Sequence, residues 1–324
     1  MIKIVTFLAL LPLHICWAGW HLTEESEHLA REAAQKHPLA SACAGVCDES
    51  MILGSGVFVR SNIVLTAAHV VCDSTAETER KGPYLKASGT GLSVWVDAVQ
   101  AATEAEIDFD LWPVQSVFFD KGADIAFLVL DAHTESSKVA PILPSDLYTA
   151  HLKKPLYKIR QPQPSGTFDG GAVVSFIGKG HSVVVGDRKF SVDEIDAIHM
   201  GESESLCKPA SDTEDGFALG QVQLSQHFST LVSPRNIDTF YGHVSLTKPG
   251  PWSSPLPGDS GAPAILEVEG LSYVFGVVTD GSLSQEFPDD KVVTAHISSV
   301  LGLVRHTKST WWEAFLEAAL LKDE

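Results

Sequence analysis

Past residue 18 the chain has no apolar run of the roughly 20 residues a bilayer-spanning helix needs. No integral membrane segment is therefore expected once a leader is removed. Basic residues are scarce beside acidic ones: 23 Lys and Arg stand against 41 Asp and Glu, a formal net charge of −18. Such a surface repels phosphate backbones, so nucleic acid is excluded as an expected partner. No C-x-x-C or H-x-x-x-H pair occurs, and no structural zinc site is expected. There is no internal repeat, which argues against a solenoid or propeller. There is also no sustained alternation of strand and helix patterns, which disfavours a parallel α/β sheet.

The beginning of the chain reads as a leader. One positive charge in Met1-Ile2-Lys3 precedes an apolar run from Ile4 to Ile15, then Cys16-Trp17-Ala18. Small residues at the −3 and −1 positions place the expected cleavage after Ala18, as in a secretory signal peptide, and the expected location is secreted or periplasmic. Acylation of Cys16 is the weaker reading, because Ile15 stands where such signals need a small residue. Removing residues 1–18 leaves Cys43, Cys47, Cys72 and Cys207. In an exported chain these are expected to form disulfides, with three pairings open to four cysteines.

Residues 23–37 read as a short polar helix stopped by Pro38, so 19–50 is an N-terminal extension or a propeptide. From Met51 onward short β-rich runs recur between Gly, Pro and Asp. They include Met51–Val59, Asn62–Ala67, Ile125–Leu130, Ala172–Gly178, His181–Gly186, Phe217–Leu224, Ala262–Val268, Ser272–Thr279 and Val292–Ile297. Many short strands with turn signals between them predict an all-β sandwich or barrel. The last segment, 306–324, differs. Thr310-Trp311-Trp312-Glu313 fits a capping box, in which the threonine caps and the glutamate reaches back. Trp311, Phe315 and Ala319 then share a helical face expected to pack on the body.

Three segments carry chemistry. Val64-Leu65-Thr66-Ala67-Ala68-His69 is an apolar strand that runs through small residues into a histidine. Gly122-Ala123-Asp124-Ile125-Ala126-Phe127-Leu128-Val129-Leu130 opens a buried strand with an aspartate, a costly place for a charge unless something pairs with it. Asp108 and Asp110 open no comparable strand. Pro257-Gly258-Asp259-Ser260-Gly261-Ala262-Pro263 sets a serine in a tight turn between glycines. A serine hydroxyl is a weak nucleophile at neutral pH, and a neighbouring imidazole can take its proton during attack and return one to the leaving group.

In that order the three segments resemble the signature regions of chymotrypsin/trypsin-like serine proteases. The resemblance implies two antiparallel β-barrels packed face to face with a C-terminal α-helix: the first over 51–146, the second over 147–305. It implies a secreted serine endopeptidase of bacterial type that acts on polypeptides through an acyl-enzyme and needs no cofactor or metal. Ser260 would be the nucleophile, His69 the base and Asp124 its support, with the N–H groups of Gly258 and Ser260 as the oxyanion hole. The specificity pocket would fall at Ser254, Thr279, Asp280 and Gly281. Ser254 argues for an apolar or small side chain there. Asp280, where the family carries an aromatic, would either draw a basic residue or face solvent.

The chain also departs from the family. No Arg-Ile-Val-Gly-Gly activation site precedes the first barrel, so Asp259 lacks its usual N-terminal partner. A catalytically silent or zymogen-locked relative acting as a binding protein is the alternative this opens. The cysteine expected just after the histidine is displaced to Cys72, and Leu53 precedes the Gly54-Ser55-Gly56 turn where a partner cysteine is usual. A bridge from Cys72 to Cys47 or Cys43 would replace that link, with Cys47 preferred. The longer stretch before Ser260 includes acidic Glu202–Asp215, either a loop over the cleft or a surface insertion.

Overall fold

The structure, a computed structural model, describes residues 19–49, 52–72, 78–96, 110–152, 171–180, 182–199, 217–232, 235–246, 253, 255–256, 258–283, 292–304 and 307–320. The leader, Cys207, Glu202–Asp215 and Ser254 lie outside the described residues.

The first barrel is made from β2 (Cys43–Cys47), β3 (Ile52–Arg60), β4 (Ile63–Thr66), β7 (Ser93–Val96), β8 (Asp110–Asp120) and β9 (Ile125–Leu130). The order runs β8-β7-β2-β3-β4-β9, and the β8–β9 pairing closes it. A hairpin of β5 (Thr78–Lys81) and β6 (Tyr84–Ser88) hangs from β8. Because β2 is a stave of the barrel, the barrel starts inside the stretch read as an extension. The β2 strand escaped the sequence reading because Cys43-Ala44-Gly45-Val46-Cys47 has small residues and no alternation. Packing explains Gly45: a Cβ there would lie 3.3 Å from the Trp95 ring.

The second barrel repeats the design with β10 (Val173–Gly178), β12 (Ala218–Val232), β13 (Arg235–Ser245), β14 (Pro263–Val268), β15 (Leu271–Leu283) and β16 (Val292–Ser299). The order β12-β10-β14-β15-β16-β13 closes through the β12–β13 pairing. The fold is thus two closed six-stranded antiparallel barrels, as expected from the strand pattern and the resemblance. Closure removes the free edges that an open sheet would expose.

Both ends of the described chain are docked. The strand β1 (Gly19–His21) pairs in parallel with β11 (Ser182–Val184), and Trp20 is fully buried with its ring edge-on to Phe190. The helix α1 (Glu24–Lys36) follows, capped by Thr23, whose hydroxyl accepts the Ser26 N–H at 3.1 Å; its Ala30 packs on Ala218 of β12. At the other end, α5 (Trp311–Leu320) seals the first barrel, with Phe315 stacked on Phe127 at 3.9 Å between ring centroids. The capping box forms: the Thr310 N–H donates to Glu313 Oε2 at 2.8 Å and the Glu313 N–H to Thr310 Oγ1 at 3.3 Å. The buried stripe is Trp311, Ala314, Phe315 and Ala318, one position round from the expected face, and it leaves Ala319 and Leu320 exposed. Among the described residues no helix is long and apolar enough to cross a membrane.

The expected disulfide is not made. Among the described residues no disulfide joins Cys43, Cys47 and Cys72. Cys43 is wholly buried, its S–H turned to the Leu39 carbonyl, and burial pushes its pKa far up. Burial also pushes the Cys47 thiol up to about 11, opposed by the Lys179 ammonium.

Candidate active site

Strand register builds the first half of the site. On β4 and β9 the pairs run Ile63 with Val129 through Thr66 with Ala126. The residues just beyond this ladder, Ala67-Ala68-His69 on one strand and Asp124 on the other, therefore emerge at the same end. His69 lies in the first turn of α2 (Ala68–Cys72). Asp124 adopts φ 52°, a left-handed conformation tolerated by aspartate more readily than by most residues. Its Oδ1 accepts the His69 backbone N–H at 2.9 Å and its Oδ2 meets His69 Nδ1 at 2.8 Å. Two bonds from one carboxylate fix both the ring's orientation and its backbone. With Nδ1 engaged, Nε2 is the nitrogen left to exchange a proton in the cleft, where the half-exposed ring meets solvent. The buried-strand argument thus finds its partner: the charge opening β9 is spent on the histidine. Asp110 instead sits at the exposed start of β8, bonded to Trp112 Nε1 at 2.9 Å; Asp108 lies outside the described residues.

Backbone builds the second half. Gly258 has φ 96° and Gly261 φ 86°, conformations L-residues with side chains rarely adopt. A Cβ on Gly258 would lie 2.5 Å from the Lys179 carbonyl, and one on Gly261 would lie 2.1 Å from Thr66 Oγ1. Gly261 is therefore what lets the serine turn close on the strand that leads to His69. The turn is tied to β15 by two bonds: Gly261 N–H to the Val278 carbonyl at 2.8 Å, and Val278 N–H to the Ala262 carbonyl at 2.9 Å.

Asp259 points inward. It is completely buried; Oδ1 accepts the Gly180 N–H at 2.8 Å and Oδ2 the Leu256 N–H at 2.9 Å. Burial pushes its carboxyl up to about 8, against the pull of these two amides. Among the described residues no cation pairs with it. The absent N-terminal partner is replaced, within the described residues, by backbone donors.

His69, Gly258 and Ser260 open onto one cleft of about 340 Å³, with Leu53, Leu256 and Val278 among its walls. Thr279, Asp280 and Gly281 also line it. Gly281 faces the Pro255 backbone so closely that a Cβ would lie 2.4 Å from that carbonyl, so a side chain at 281 would push this wall of the cleft aside. Asp280 stands at the rim. Its Oδ1 takes the Gly281 N–H at 2.7 Å and its Oδ2 lies 3.5 Å from His296 Nδ1, so the carboxylate faces partly away from the slot. Burial lowers the His296 pKa, against the pull of Asp280. Among the described residues no three His, Cys, Asp or Glu side chains gather as a metal-ligand set.

Sequence reasoning missed the residues that join the halves: Ser55, Thr66 and the Lys179–Gly180 turn. Their one visible signal was the Gly54-Ser55-Gly56 run. A Cβ on Gly54 would lie 2.7 Å from the Ser260 carbonyl, which shows how closely the barrels meet there.

Compared with known proteins, residues 54–277 match the trypsin-like peptidase domain, a span of more than half of the chain. No curated protein matches the chain.

Proposed function

The chain belongs to the trypsin-like peptidase family, and from that premise we propose that it is an exported serine endopeptidase working through an acyl-enzyme on Ser260. The observation that carries this reading is the double hold of Asp124 on His69, 2.9 and 2.8 Å, at the mouth of the cleft that Ser260 also lines.

In the proposed reaction Ser260 Oγ attacks the peptide carbonyl while His69 Nε2 takes its proton. Asp124 stabilises the resulting imidazolium and keeps the ring from turning. The carbonyl oxygen, now anionic, is received by the N–H groups of Gly258 and Ser260, a contribution of about 100- to 1000-fold in rate per donor. Collapse breaks the C–N bond, and the amine leaves with the proton from His69. Water then attacks the ester, gives its proton to His69, and the acyl group departs as an acid with Ser260 restored. The apolar walls from Leu53, Leu256 and Val278 support an apolar side chain next to the cut, since each buried CH₂ contributes about 0.8 kcal/mol. The leader-like start supports export.

A fluorophosphonate probe tests the proposal. Wild-type protein is expected to label, and Ser260→Ala and His69→Ala to lose labelling. Folded wild-type protein that stays unlabelled would replace this reading with that of a silent binding relative.

A further inference from the structure

Between the two halves lies one side chain outside the triad and the oxyanion donors. Ser55, on β3, is fully buried and makes four hydrogen bonds, two of them to the nucleophile turn. Its N–H donates to the Ser260 carbonyl at 2.8 Å. Its carbonyl accepts Thr66 Oγ1 at 2.7 Å, on the strand that leads to His69. Its hydroxyl lies 2.9 Å from the Gly258 carbonyl and 2.9 Å from the Lys179 backbone nitrogen.

The direction of the last two bonds follows from donor counting. A backbone N–H can only donate, so Lys179 donates to Ser55 Oγ. A hydroxyl has one proton, and that proton must go to the Gly258 carbonyl. We infer that Ser55 is the positioning residue of the oxyanion loop: its hydroxyl fixes the peptide that follows Gly258, and so the Gly258 Cα about which the preceding peptide, with the Gly258 N–H, turns. The inference rests on the catalytic reading proposed above.

The other end of the same peptide is also held, because the Asp259 N–H donates to the Leu256 carbonyl at 2.9 Å. With that plane bonded on both sides, Gly258, at φ 96°, is held from its C-terminal side even though glycine has the widest conformational freedom of any residue. The platform under the clamp is stiff. Lys179 is buried, and its ammonium lies 4.1 Å from the centroid of the Trp95 ring in the first barrel. The next residue, Gly180, carries the bond to Asp259. One hydroxyl on the histidine barrel therefore sets a loop on the serine barrel.

The experiment is a substitution series at Ser55 in the full mature chain. Its readout is the second-order rate of fluorophosphonate labelling per folded molecule, measured across pH. Fluorophosphonate suits the purpose because its adduct places a phosphoryl oxygen where the oxyanion forms. Ser55→Ala is expected to label about 10- to 100-fold more slowly, somewhat less than the loss of an oxyanion donor itself. Ser55→Cys, whose thiol is a weak donor, is expected to fall between, and it carries the test if the alanine variant does not fold. The pH midpoint set by His69 should not move in either. Rates equal to wild type per folded molecule would overturn the inference. So would a loss accompanied by a shifted midpoint, since that would place the damage at His69. If wild-type protein does not label, the catalytic reading fails, and amide exchange over the Lys179 and Gly258–Gly261 segments judges the clamp alone. Exchange at least tenfold faster in Ser55→Ala supports the clamp, and unchanged exchange rejects it.

Discussion

The two halves of the site each centre on an aspartate, and the two are treated in opposite ways. Asp124 is partly exposed, and both its oxygens serve His69, a ring that gains and loses charge in the proposed reaction. Asp259 is sealed from solvent, and both its oxygens serve backbone amides, at Gly180 and Leu256, that must stay still. The first carboxylate stands at the cleft, open to solvent and to the ring. The second is driven toward its neutral form, with burial raising its pKa to about 8. The difference separates chemistry from architecture. The histidine barrel keeps its half wet and switchable, and the serine barrel keeps its half dry and fixed.

The comparison breaks most visibly at Asp124. Asp124→Asn preserves shape but offers His69 a neutral amide, and kcat is expected to drop about 10⁴-fold with little change in KM. A loss below tenfold would mean that His69 is oriented by something else. Asp259 sharpens the contrast through pH. Its folded pKa, about 8, lies above the ordinary aspartate value of 3.8, so the folded protein holds this proton more tightly than the unfolded chain does. The resulting stability is full below about pH 4 and is lost as pH rises toward 8. Urea midpoints from pH 4 to 8 should therefore decline more steeply in wild type than in Asp259→Asn, although the variant is weaker overall because its amide NH₂ confronts a backbone N–H. Parallel curves would show that Asp259 is ionised throughout. The smallest effect concerns the helix that seals the histidine barrel. Thr310→Ala removes the cap on α5 and should cost about 1 kcal/mol in thermal or urea melts, leaving labelling of Ser260 untouched.

What the sequence revealed and what it hid divides along physical lines. Ile125–Leu130 was readable to the residue, because an unbroken apolar run between turn signals leaves little else for a strand to be. His69, Asp124 and the serine turn were readable because each breaks a local rule: a histidine after small residues, a charge before a core strand, a serine between glycines. The long β8 was hidden by Pro113 and by polar residues that face outward. The β12–β13 hairpin runs past Leu224, where the sequence reading stopped, because its outer strand length depends on cross-strand pairing rather than on local pattern. The missing Cys47–Cys72 bridge went against a rule about compartment and even cysteine count, which says nothing of where each sulfur points. Ser55 was beyond reach, since its role depends on Gly258 and Lys179, both distant along the chain and neighbours only after the barrels dock.

The parallel pairing of β1 with β11 has a consequence for how the molecule is born. A ribosome delivers Gly19–His21 early, but its partner Ser182–Val184 follows only after the entire histidine barrel has been made. Until then Trp20 and the alanine face of α1 have nothing to cover them. Such distant pairings are slow to close and leave sticky surface exposed in the meantime. An early-made segment that docks late keeps its apolar face open until the second barrel is begun, and the burial of the Trp20 indole marks the moment it docks.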